Sequence, residues 1–382
     1  MIYIVSSVFA PNTAETNRML GYYAHLDKLK IDATIVFVYP DACFSKITVE
    51  YKHLKIIYLW SDNKFYQNKY IRFIRTKWIL YRFLKQLCEG DIIYTYGISP
   101  ITRTFIQSKI RTKIKVFAEM TEHPTVCSGG RLTSLSSSQV IELAAKLDGL
   151  FVISQYLKKC FVEFGVREER IEVINMTVDL QRFIGLQKQN KNPSYIAYCG
   201  TVSNNKDGVD QLIKAFAILA SRVPDVQLYI IGKTPSQNDE SGNMALIKNL
   251  NISHRIVFTG MVSASDMPQL LKNADVLALN RPNSLQAKCG FPTKLGEYLL
   301  TENPVVVTNV GEIPHFLHDG ESAFLSESDN PEEFASKLEQ ALIYSEQASE
   351  IGRKGAEVAK LCFNSEIETV KLVNFMLRDK IN

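Results

Sequence analysis

Residues 289–312 read CGFPTKLGEYLLTENPVVVTNVGE and combine an amphipathic segment with a continuous apolar run. Pro292 suits the first position of a helix, because proline lacks the N–H group that would have no partner there. The run at 304–309 is typical of a parallel strand that is covered on both faces. We therefore predict a helix over 292–301 and a strand over 304–309, which together form one helix–strand unit of an α/β fold.

The same alternation extends in both directions along the chain. Short runs rich in Val and Ile predict strands at 2–8, 32–39, 55–60, 91–97, 115–120, 148–154, 170–175, 195–200, 226–232, 255–260 and 275–280. Amphipathic segments lie between them, and the polar run at 186–194 is typical of an interdomain linker. The predicted fold class is α/β, with two doubly wound Rossmann-like domains that face a cleft. We predict domains at 1–187 and 188–363, followed by a terminal helix at 364–382.

Composition and charge agree with an ordinary globular protein. The chain has 382 residues, of which 46% are hydrophobic and 22% are charged. Residues 1–190 carry a net charge of +9 and residues 191–382 carry −5, which suggests two modules with different partners. The seven cysteines lack the spacing of zinc or redox motifs and indicate a reducing compartment. We find neither a signal peptide nor a membrane-spanning run, so we expect a cytoplasmic protein.

Several common enzyme motifs are missing from this sequence. It has no Gly-x-Gly dinucleotide fingerprint, no Gly-x4-Gly-Lys-Ser/Thr phosphate loop, and no nucleophile elbow. It also has no Asp-x-Asp pair, which weakens the case for a metal-bridged pyrophosphate. These absences disfavour the enzyme classes that depend on such motifs.

Lys294 lies in the first turn of the predicted helix, where a cation faces the positive end of the helix dipole at a cost of about 0.3–1 kcal/mol. A bound pyrophosphate would remove this conflict, since free backbone N–H groups and an ammonium both favour an anion. Thr293, Lys294 and Glu297 share one helix face, and the Glu297 carboxylate suits two hydroxyls of a ribose. The alternative is a solvated Lys294 that pairs with a surface Glu297.

Lys206 occupies a similar position, after the strand predicted at 195–200 and before a helix predicted at 207–222. Ligands of open α/β sheets bind beyond the carboxyl ends of the strands. Lys206 and Lys294 both fall at such ends in the same half of the chain. Together they predict an anion site, although Lys206 by itself is also typical of a solvated loop lysine.

These segments resemble glycosyltransferase family 4, the retaining, metal-independent nucleotide-sugar enzymes with the GT-B fold. The resemblance covers nearly the whole chain and is strongest from Gly200 to Leu325, in GFPTKLGEYLLTENPVVVTNVGEIP (290–314) and DGESAFL (319–325). The stretch VISQYLKKCFVEFGVREERIEVINMTVDLQRF (152–183) resembles the part of the family just before the linker. The resemblance implies two Rossmann-like domains, with the terminal helix crossing back to the first.

The resemblance also implies that the second half binds a nucleotide-sugar donor, a substrate that requires no cofactor and no metal. Glu297 matches the second carboxylate of the family's Glu-x7-Glu pattern and would bind the ribose. Three residues would hold the pyrophosphate: Lys206, Thr293 and Lys294. The backbone of Gly290 and Phe291 would lie against the donor sugar. The remaining residues expected at the donor are Gly200, Thr201, Gly232, Lys233, Met261 and Val262, with plain strand-end packing as the alternative for the last pair.

Two positions depart from the family pattern. Cys289 stands where the family has its first Glu, which usually contacts hydroxyls of the donor hexose. Thr201 stands where the family often has an Arg after the first glycine of the domain. Arg281 could supply the missing positive charge, and the alternative is a solvated loop arginine. The identity of the donor sugar therefore stays open.

In the first half, His123 follows the strand predicted at 115–120 and would lie at its carboxyl end. The resemblance implies a histidine near there, next to the donor sugar. The alternative is a histidine whose ring is satisfied by loop backbone. Glu119 and Glu122 lie nearby and are candidates for contacts with the acceptor.

Residues 53–87 hold eight Lys or Arg, a single acid, Asp62, and nine aromatic residues. Basic charge with interleaved aromatics suits an anionic membrane surface or a nucleic acid. The family resemblance favours the membrane and gives no role to nucleic acid, so the protein would be peripheral on the inner face of a membrane. The alternative is a helix with a solvated basic face and an aromatic face in the core.

The predicted function is transfer of a sugar from a nucleotide diphosphate donor, with UDP favoured, to a saccharide or lipid-linked saccharide in bacterial surface polysaccharide or glycolipid assembly. The anomeric configuration would be retained, and lysines with helix N-termini would stabilise the leaving pyrophosphate. The candidate catalytic residues are His123, Lys206, Lys294 and Glu297. Two alternatives remain: a nucleotide-sugar 2-epimerase on the same fold, and a non-catalytic nucleotide-sugar-binding protein.

Overall fold

A computed structural model describes residues 1–6, 13–39, 50–60, 68–127, 135–189 and 193–381. The chain divides into two compact units. The first unit comprises Met1–Asn175 together with Ser365–Asn382, and the second comprises Met176–Asn364. Each unit is built around one parallel sheet with helices packed on it, as the sequence pattern predicts.

The first unit contains a seven-stranded sheet in the part of the chain that the structure describes. Its strands are β1 (Ile2–Ser6), β2 (Ala33–Phe37), β3 (Leu54–Tyr58), β4 (Ile92–Tyr96), β5 (Lys115–Met120), β6 (Gly149–Val152) and β7 (Ile171–Val173). They lie in the order β3-β2-β1-β4-β5-β6-β7, so the order reverses between β1 and β4. The first six helices are α1 (Ala14–Lys28), α2 (Lys69–Leu84), α3 (Pro100–Thr112), α4 (Pro124–Cys127), α5 (Ser137–Ala144) and α6 (Gln155–Glu163).

The core of this unit lies on both faces of the central strands. All five residues of β2 are buried, which explains why its sequence is a continuous apolar run and not an alternating one. Large aromatic side chains fill the space between sheet and helices, among them Tyr22, Tyr94 and Phe151. Because the strands are parallel, their carboxyl ends share one edge of the sheet.

The second unit contains a six-stranded sheet among its described residues. Its strands are β8 (Ser194–Cys199), β9 (Val226–Ile231), β10 (Ile256–Gly260), β11 (Val276–Leu279), β12 (Val305–Thr308) and β13 (Phe324–Ser326). They lie in the order β10-β9-β8-β11-β12-β13, and the order reverses between β8 and β11. Its helices are α7 (Asn204–Asp207), α8 (Val209–Ala220), α9 (Gln237–Asn249), α10 (Met267–Lys272), α11 (Leu285–Cys289), α12 (Thr293–Leu300), α13 (Ile313–Phe316), α14 (Pro331–Ile343) and α15 (Ser345–Cys362).

Two helix starts differ from the sequence prediction. The helix expected at 207–222 is divided into α7 and α8 by Gly208, whose φ of 60° is left-handed and which touches the Asn280 carbonyl so closely that a Cβ would overlap it. Pro292 is the residue before α12 and not its first residue, since its backbone is extended. Both differences arise from local backbone geometry that helical periodicity does not report.

The last helix, α16 (Ser365–Ile381), belongs to the first unit, where it packs on α1. His25 Nε2 lies 2.7 Å from the Ser365 hydroxyl, and Lys28 Nζ lies 2.6 Å from a Glu366 carboxylate oxygen. The predicted boundary at 187/188 is shifted, because the structure divides the chain between Asn175 and Met176. Within the second unit the Val178 N–H donates to the carbonyl oxygen of Phe363, over 2.9 Å, which ties that segment to the end of α15.

Three predictions extend beyond the described residues. The expected first strand includes residues 7 and 8, the predicted linker includes 190–192, and the basic aromatic segment includes 61–67, all of which lie outside them. No helix in the described ranges is both long enough and apolar enough to cross a membrane.

Candidate functional site

Two glycine turns form the carboxyl edge of the second sheet at its centre. The Gly200 N–H donates to the Ile231 carbonyl over 2.9 Å, and the Gly232 N–H donates to the Gly260 carbonyl over 3.0 Å. Gly200 and Gly232 have φ values of 152° and 135°, and a Cβ on Gly232 would overlap the Gly200 carbonyl oxygen. Glycine is therefore required for the two turns to lie this close together.

The ammonium of Lys294 lies against the first of these turns. Its Nζ forms an ion pair with Asp207 Oδ2 and donates to the Tyr198 hydroxyl over 3.1 Å. A Cβ on Gly200 would overlap that Nζ. The Lys294 side chain is 17% exposed and that of Asp207 is 2% exposed. The cation thus reaches the end of β8 and keeps a small opening to solvent.

Burial and charge act in opposite directions on this pair. Burial raises the pKa of Asp207, but the Lys294 ammonium outweighs burial and holds that pKa below its usual value. Burial lowers the pKa of Lys294, and the carboxylate of Asp207 opposes this shift without cancelling it. The sequence alternative in which Lys294 pairs with Glu297 is wrong, because Asp207 is the partner of Lys294.

The orientation of α12 is fixed by a buried tyrosine one turn after Lys294. The Tyr298 hydroxyl accepts from the Cys199 N–H over 2.5 Å and donates to the Cys199 carbonyl over 3.0 Å. These hydrogen bonds hold the first half of α12 beside the end of β8. Lys294, four residues earlier on the same helix face, is thereby directed at the Gly200 turn.

Arg281 is buried next to the same carboxylate. Its side chain is 4% exposed, and its Nε lies 3.9 Å from Asp207 Oδ1. Its backbone N–H donates to the Thr308 hydroxyl, and that hydroxyl donates back to the Arg281 carbonyl, each over 2.9 Å. The alternative of a solvated loop arginine is therefore wrong.

Glu297 takes part in a separate ion pair. Its Oε1 pairs with Arg182, from the 3-10 turn Leu180–Phe183, and a second nitrogen of Arg182 donates to the Ala264 carbonyl over 3.2 Å. Burial raises the pKa of Glu297, although Arg182 opposes the shift. Arg182 thus joins Glu297 to the loop that follows β10.

The remaining predicted donor residues are distributed around these groups. Lys206, Thr201 and Lys233 are exposed, and Thr201 offers its carbonyl oxygen to the Tyr198 hydroxyl over 2.6 Å. At the end of β10, Met261 is 68% exposed and Val262 is half-buried. Exposure of this kind does not fit the packing alternative for Met261.

The loop before α12 is mostly enclosed. Cys289 is fully buried at the end of α11, so its side chain does not offer an exposed polar group in place of the family glutamate. Gly290 is buried, and Phe291 packs against Phe316 and Phe363 at centroid distances of 5.6 and 5.1 Å. Thr293 is half-buried in the first turn of α12.

In the first unit, His123 follows β5 and is buried. Its Nδ1 lies 2.7 Å from the Thr125 hydroxyl and accepts from the Thr125 N–H over 3.3 Å. Its ring packs on Phe164, and burial lowers its pKa below the ordinary histidine value. The backbone N–H of Thr125 therefore satisfies one ring nitrogen, as the alternative interpretation of this residue expects.

Glu119 is not available to an acceptor. It is fully buried in β5, where its Oε1 accepts from Arg18 Nε over 2.6 Å, and it also pairs with the hydroxyls of Tyr22 and Tyr94. Arg18 donates in addition to the carbonyls of residues 175 and 174, over 2.7 and 2.9 Å. The prediction of an acceptor contact at Glu119 is wrong.

Four functional candidates escaped the sequence analysis: Tyr198, Asp207, Tyr298 and Arg182. Asp207 directly follows Lys206, and Tyr198 lies two residues before Gly200 on β8, so proximity to predicted residues was the only signal. Arg182 gave none, because its partner Glu297 is more than a hundred residues away in sequence. In the described part of the chain, no group of three or more His, Cys, Asp or Glu is arranged to hold a metal ion.

Part of the second unit matches a known protein family. Residues 193–343 match the family model described as Glycosyl transferases group 1. This segment of the second unit is therefore similar to the group 1 glycosyltransferases. The match covers the strands, the glycine turns and the Lys294–Asp207 pair described above.

Curated relatives that match the chain carry names of several sugar-transferring proteins. The chain is 26% identical over 220 residues to the capsular polysaccharide biosynthesis glycosyltransferase CapM of Staphylococcus aureus, covering 56% of this chain and 54% of that protein. It is 26% identical over 199 residues to the N-acetyl-alpha-D-glucosaminyl L-malate synthase of Bacillus anthracis, covering 52% and 48%. The chain thus spans about half the length of the curated relatives that it matches.

Solved structures show that the likeness in fold extends to both units. HepE of Anabaena, solved in complex with UDP, superposes with a TM-score of 0.76 at 17% identity and covers 99% of each chain. The lipopolysaccharide outer core galactosyltransferase WaaB superposes with a TM-score of 0.69 at 17% identity, again over 99% of each chain. The fold is GT-B, as the sequence resemblance implies.

Proposed function

We propose that this protein is a retaining glycosyltransferase, of the family 4 type, that transfers a sugar from a UDP-sugar to an acceptor hydroxyl without a metal ion. The observation that carries the proposal is the ammonium of Lys294 at the Gly200 turn, inside the segment that is similar to the group 1 glycosyltransferases. A pyrophosphate placed there would meet a fixed cation and the first turn of α12.

The chemistry follows from the charge that develops during transfer. When the bond between sugar and phosphate breaks, negative charge accumulates on the leaving pyrophosphate. A cation that is already oriented stabilises this charge without reorganisation, which is the largest electrostatic contribution to many enzymatic reactions. Asp207 and Tyr198 hold Lys294 in place, so the group is oriented before a donor arrives. Lys206, on exposed α7, would approach the phosphates from the solvent side.

Glu297 is the proposed ribose ligand. Its carboxylate is half-buried and already accepts from Arg182. Two ribose hydroxyls would have to share this carboxylate with Arg182 or replace it. Arg182 would thereby link ribose binding to the loop after β10, where Met261 and Val262 are proposed to lie near the base.

The choice of UDP rests on the structural neighbours. HepE of Anabaena has been solved with UDP and with UDP-glucose, and its fold matches this chain over 99% of its length. Retention of configuration and metal independence are proposed from the family resemblance of the sequence, and the structural neighbours add no separate support for them. Fully buried Cys289 leaves the hexose hydroxyls without the usual glutamate, so the donor sugar is left to experiment.

We further propose that the acceptor is a saccharide or a lipid-linked saccharide of a bacterial surface polysaccharide or glycolipid, reached at the cytoplasmic face of a membrane. Relatives named for capsular polysaccharide synthesis and a neighbour named for lipopolysaccharide core synthesis support this class. The participation of His123 in catalysis stays a prediction.

Incubation with a panel of nucleotide sugars tests the reaction. The wild-type protein should gain thermal stability with UDP, and one UDP-sugar should yield free UDP together with a transferred or hydrolysed sugar. Conversion of a UDP-sugar to its 2-epimer would support the epimerase alternative, and binding without turnover of any donor would support the non-catalytic one. No thermal shift with any nucleotide would overturn the proposed site.

A further inference from the structure

Helix α2 presents an outer face of nine exposed residues, defined here as Lys69, Tyr70, Phe73, Ile74, Lys77, Trp78, Tyr81, Arg82 and Lys85. They recur at alternating intervals of one and three residues, which keeps them on one side of a helix. Five are large and hydrophobic and four are cationic. The outer face therefore combines large exposed hydrophobic side chains with positive charge, whereas the solvated face of a helix is typically polar.

The hydrophobic members are exposed to an unusual degree for their size. Tyr70, Phe73, Ile74, Trp78 and Tyr81 expose 70%, 58%, 68%, 55% and 46% of their surface, respectively. A scattered exposed hydrophobic residue needs no explanation, but a contiguous row indicates an interaction surface. The sequence alternative, in which the aromatic side of this helix faces the core, is thus wrong for these residues.

A different set of side chains attaches α2 to the first unit. Ile79, Leu80, Phe83 and Leu84 are buried beneath the helix. Trp60, the other tryptophan of the chain, is completely buried, and β3 is an edge strand that pairs with β2. Of the segment 53–87, the outer face of α2 is consequently the part that combines aromatic exposure with basic charge among the described residues.

The charges of the outer face are of one sign and lie beside the rings. Lys77 Nζ is 4.3 Å from the Phe73 ring centroid, the Arg82 guanidinium is 4.8 Å from the Trp78 ring, and Lys85 Nζ is 4.6 Å from the Tyr81 ring. The segment 69–85 contains no Asp or Glu. These three cations therefore lie over aromatic rings of the same outer face, within cation–π distance.

We propose that the outer face of α2 inserts its hydrophobic side chains into the interface of an anionic lipid bilayer. Tyr and Trp favour the boundary between acyl chains and headgroups, and each Lys or Arg near an anionic surface adds electrostatic attraction. A protein partner or a second copy of this chain would have to place carboxylates opposite four cations. The bilayer supplies the matching negative charge along the whole helix.

The bilayer goes with the proposed function, because a lipid-linked acceptor would be reached from such a surface. The inference rests on the proposed function only in the role that it gives to the bilayer, which is access to a lipid-linked acceptor. Lipid binding can be measured without turnover, so its failure would leave the donor site untouched.

The chain contains its own reporter of insertion. Trp78 and Trp60 are its two tryptophans, and Trp60→Phe leaves Trp78 as the single tryptophan, which excitation near the red edge reports selectively. Addition of phosphatidylcholine vesicles with phosphatidylglycerol should shift its emission to the blue, and brominated acyl chains should quench it. Pure phosphatidylcholine vesicles should give a weaker response. If replacing the buried Trp60 prevents folding, vesicle sedimentation of the wild-type chain provides the same comparison.

Two double variants test hydrophobic insertion and electrostatic attraction separately. Phe73→Ala with Ile74→Ala should reduce binding to anionic vesicles by about tenfold, since two hydrophobic side chains that would enter the bilayer are lost. Lys77→Glu with Lys85→Glu should reduce it by at least about tenfold and remove the preference for phosphatidylglycerol. The matched control, Ile343→Ala with Leu361→Ala, removes exposed hydrophobic side chains of the second unit and should leave binding unchanged.

The UDP-induced thermal shift should stay at the wild-type value in all these variants, which distinguishes a failure of lipid binding from a failure of the donor site. The proposal would be overturned if the wild-type protein does not sediment with anionic vesicles and Trp78 of the Trp60→Phe variant shows no blue shift. Concentration-dependent dimerisation that is lost with Phe73→Ala and Ile74→Ala, without lipid binding, would also overturn it and identify a second copy as the occupant.

Discussion

Each unit contains a buried ion pair near the carboxyl edge of its sheet, and the two pairs differ in what they leave open. In the first unit, Arg18 and Glu119 are 3% and 0% exposed, and Arg18 donates to three separate oxygens. In the second unit, Asp207 is equally enclosed but Lys294 is 17% exposed and lies at a glycine turn.

The same kind of interaction can therefore serve two purposes. A buried pair whose partners are fully occupied can only hold elements together, here α1, β5 and the end of the chain segment at 174–175. A pair with one partly open cation can accept another anion. Burial of charge therefore does not identify a binding site by itself, and the remaining exposure and the neighbouring backbone decide.

Removal of the enclosed cation should have the largest effect. Arg18→Leu leaves the Glu119 carboxylate buried without its cation, which we expect to lower the free energy of unfolding of the first unit by about 3–5 kcal/mol. Denaturant unfolding followed by tryptophan fluorescence measures it, since Trp60 and Trp78 both lie in that unit.

The control for this variant is Lys28→Ala, which breaks the exposed pair with Glu366 and should cost at most about 1 kcal/mol. Equal losses in Arg18→Leu and Lys28→Ala would refute the contrast between enclosed and exposed pairs in this unit.

Removal of the partly open cation should lower the rate of the reaction. Lys294→Met removes the proposed pyrophosphate ligand, and we expect the rate of sugar transfer to fall by about 10²–10³, or roughly 3–4 kcal/mol. Steady-state release of UDP measures it. Lys206→Met is the matched lysine variant and should fall less, because Lys206 is exposed. A smaller loss in Lys294→Met than in Lys206→Met would exchange their proposed roles.

Glu297 tests whether the second unit uses a carboxylate for the ligand or only for Arg182. Glu297→Gln keeps the size of the side chain but removes its charge, so UDP should bind more weakly by about 1.5–3 kcal/mol. Isothermal titration with UDP measures the loss, with Glu312→Gln as a second buried carboxylate outside the proposed contacts. Wild-type affinity in Glu297→Gln would show that this carboxylate serves Arg182 alone.

The pH dependence of stability should separate the two units. The pKa of Asp207 is lowered in the folded state, so the unfolded state binds its proton first as pH falls. Its stabilising contribution is therefore present above the ordinary aspartate pKa and is lost as pH falls through the lowered one. Asp207→Asn should show less acid destabilisation than wild type, measured as Tm of the UDP-protected transition between pH 7 and 3. Identical pH profiles would contradict a charged Asp207.

The smallest effect is expected at Glu15, which lies near the enclosed pair. Burial, followed by the charge of Glu119, raises the pKa of Glu15 to about 7. The folded state thus holds this proton longer than the unfolded state, and stability falls as pH rises from about 4.5 to 7. Glu15→Gln should remove this fall and shift Tm at neutral pH upward by a few degrees at most. A Tm difference from wild type that does not depend on pH would contradict the raised pKa.

Much of the fold could be read from sequence because it depends on local patterns. The helix expected at 292–301 contains α12, and the apolar run at 304–309 contains β12. Gly208 shows the limit: its left-handed backbone divides a continuous helical pattern because the Asn280 carbonyl, distant in sequence, approaches it.

The candidate site was predictable where position along a helix carries chemistry. Lys294 in a first turn and Gly200 after a strand are local signals, and the structure brings them together. The partner of Lys294 was not predictable, since the sequence offered Glu297 at i+3 and the fold supplied Asp207 from another element. The exposure of the aromatic row on α2 had no local signal either, because its apolar residues have the same spacing whether they face a core or solvent.

Local patterns in the sequence specify the class of fold, the repeated helix–strand units, and the lysine placed at a helix start. Tertiary structure alone decided which carboxylate holds that lysine, which buried pair is closed, and which side of α2 is left uncovered. The two sets of features depend on interactions of different range along the chain. Periodicity and capping act between residues a few positions apart, whereas ion pairing and burial depend on which distant elements the sheet order brings into contact.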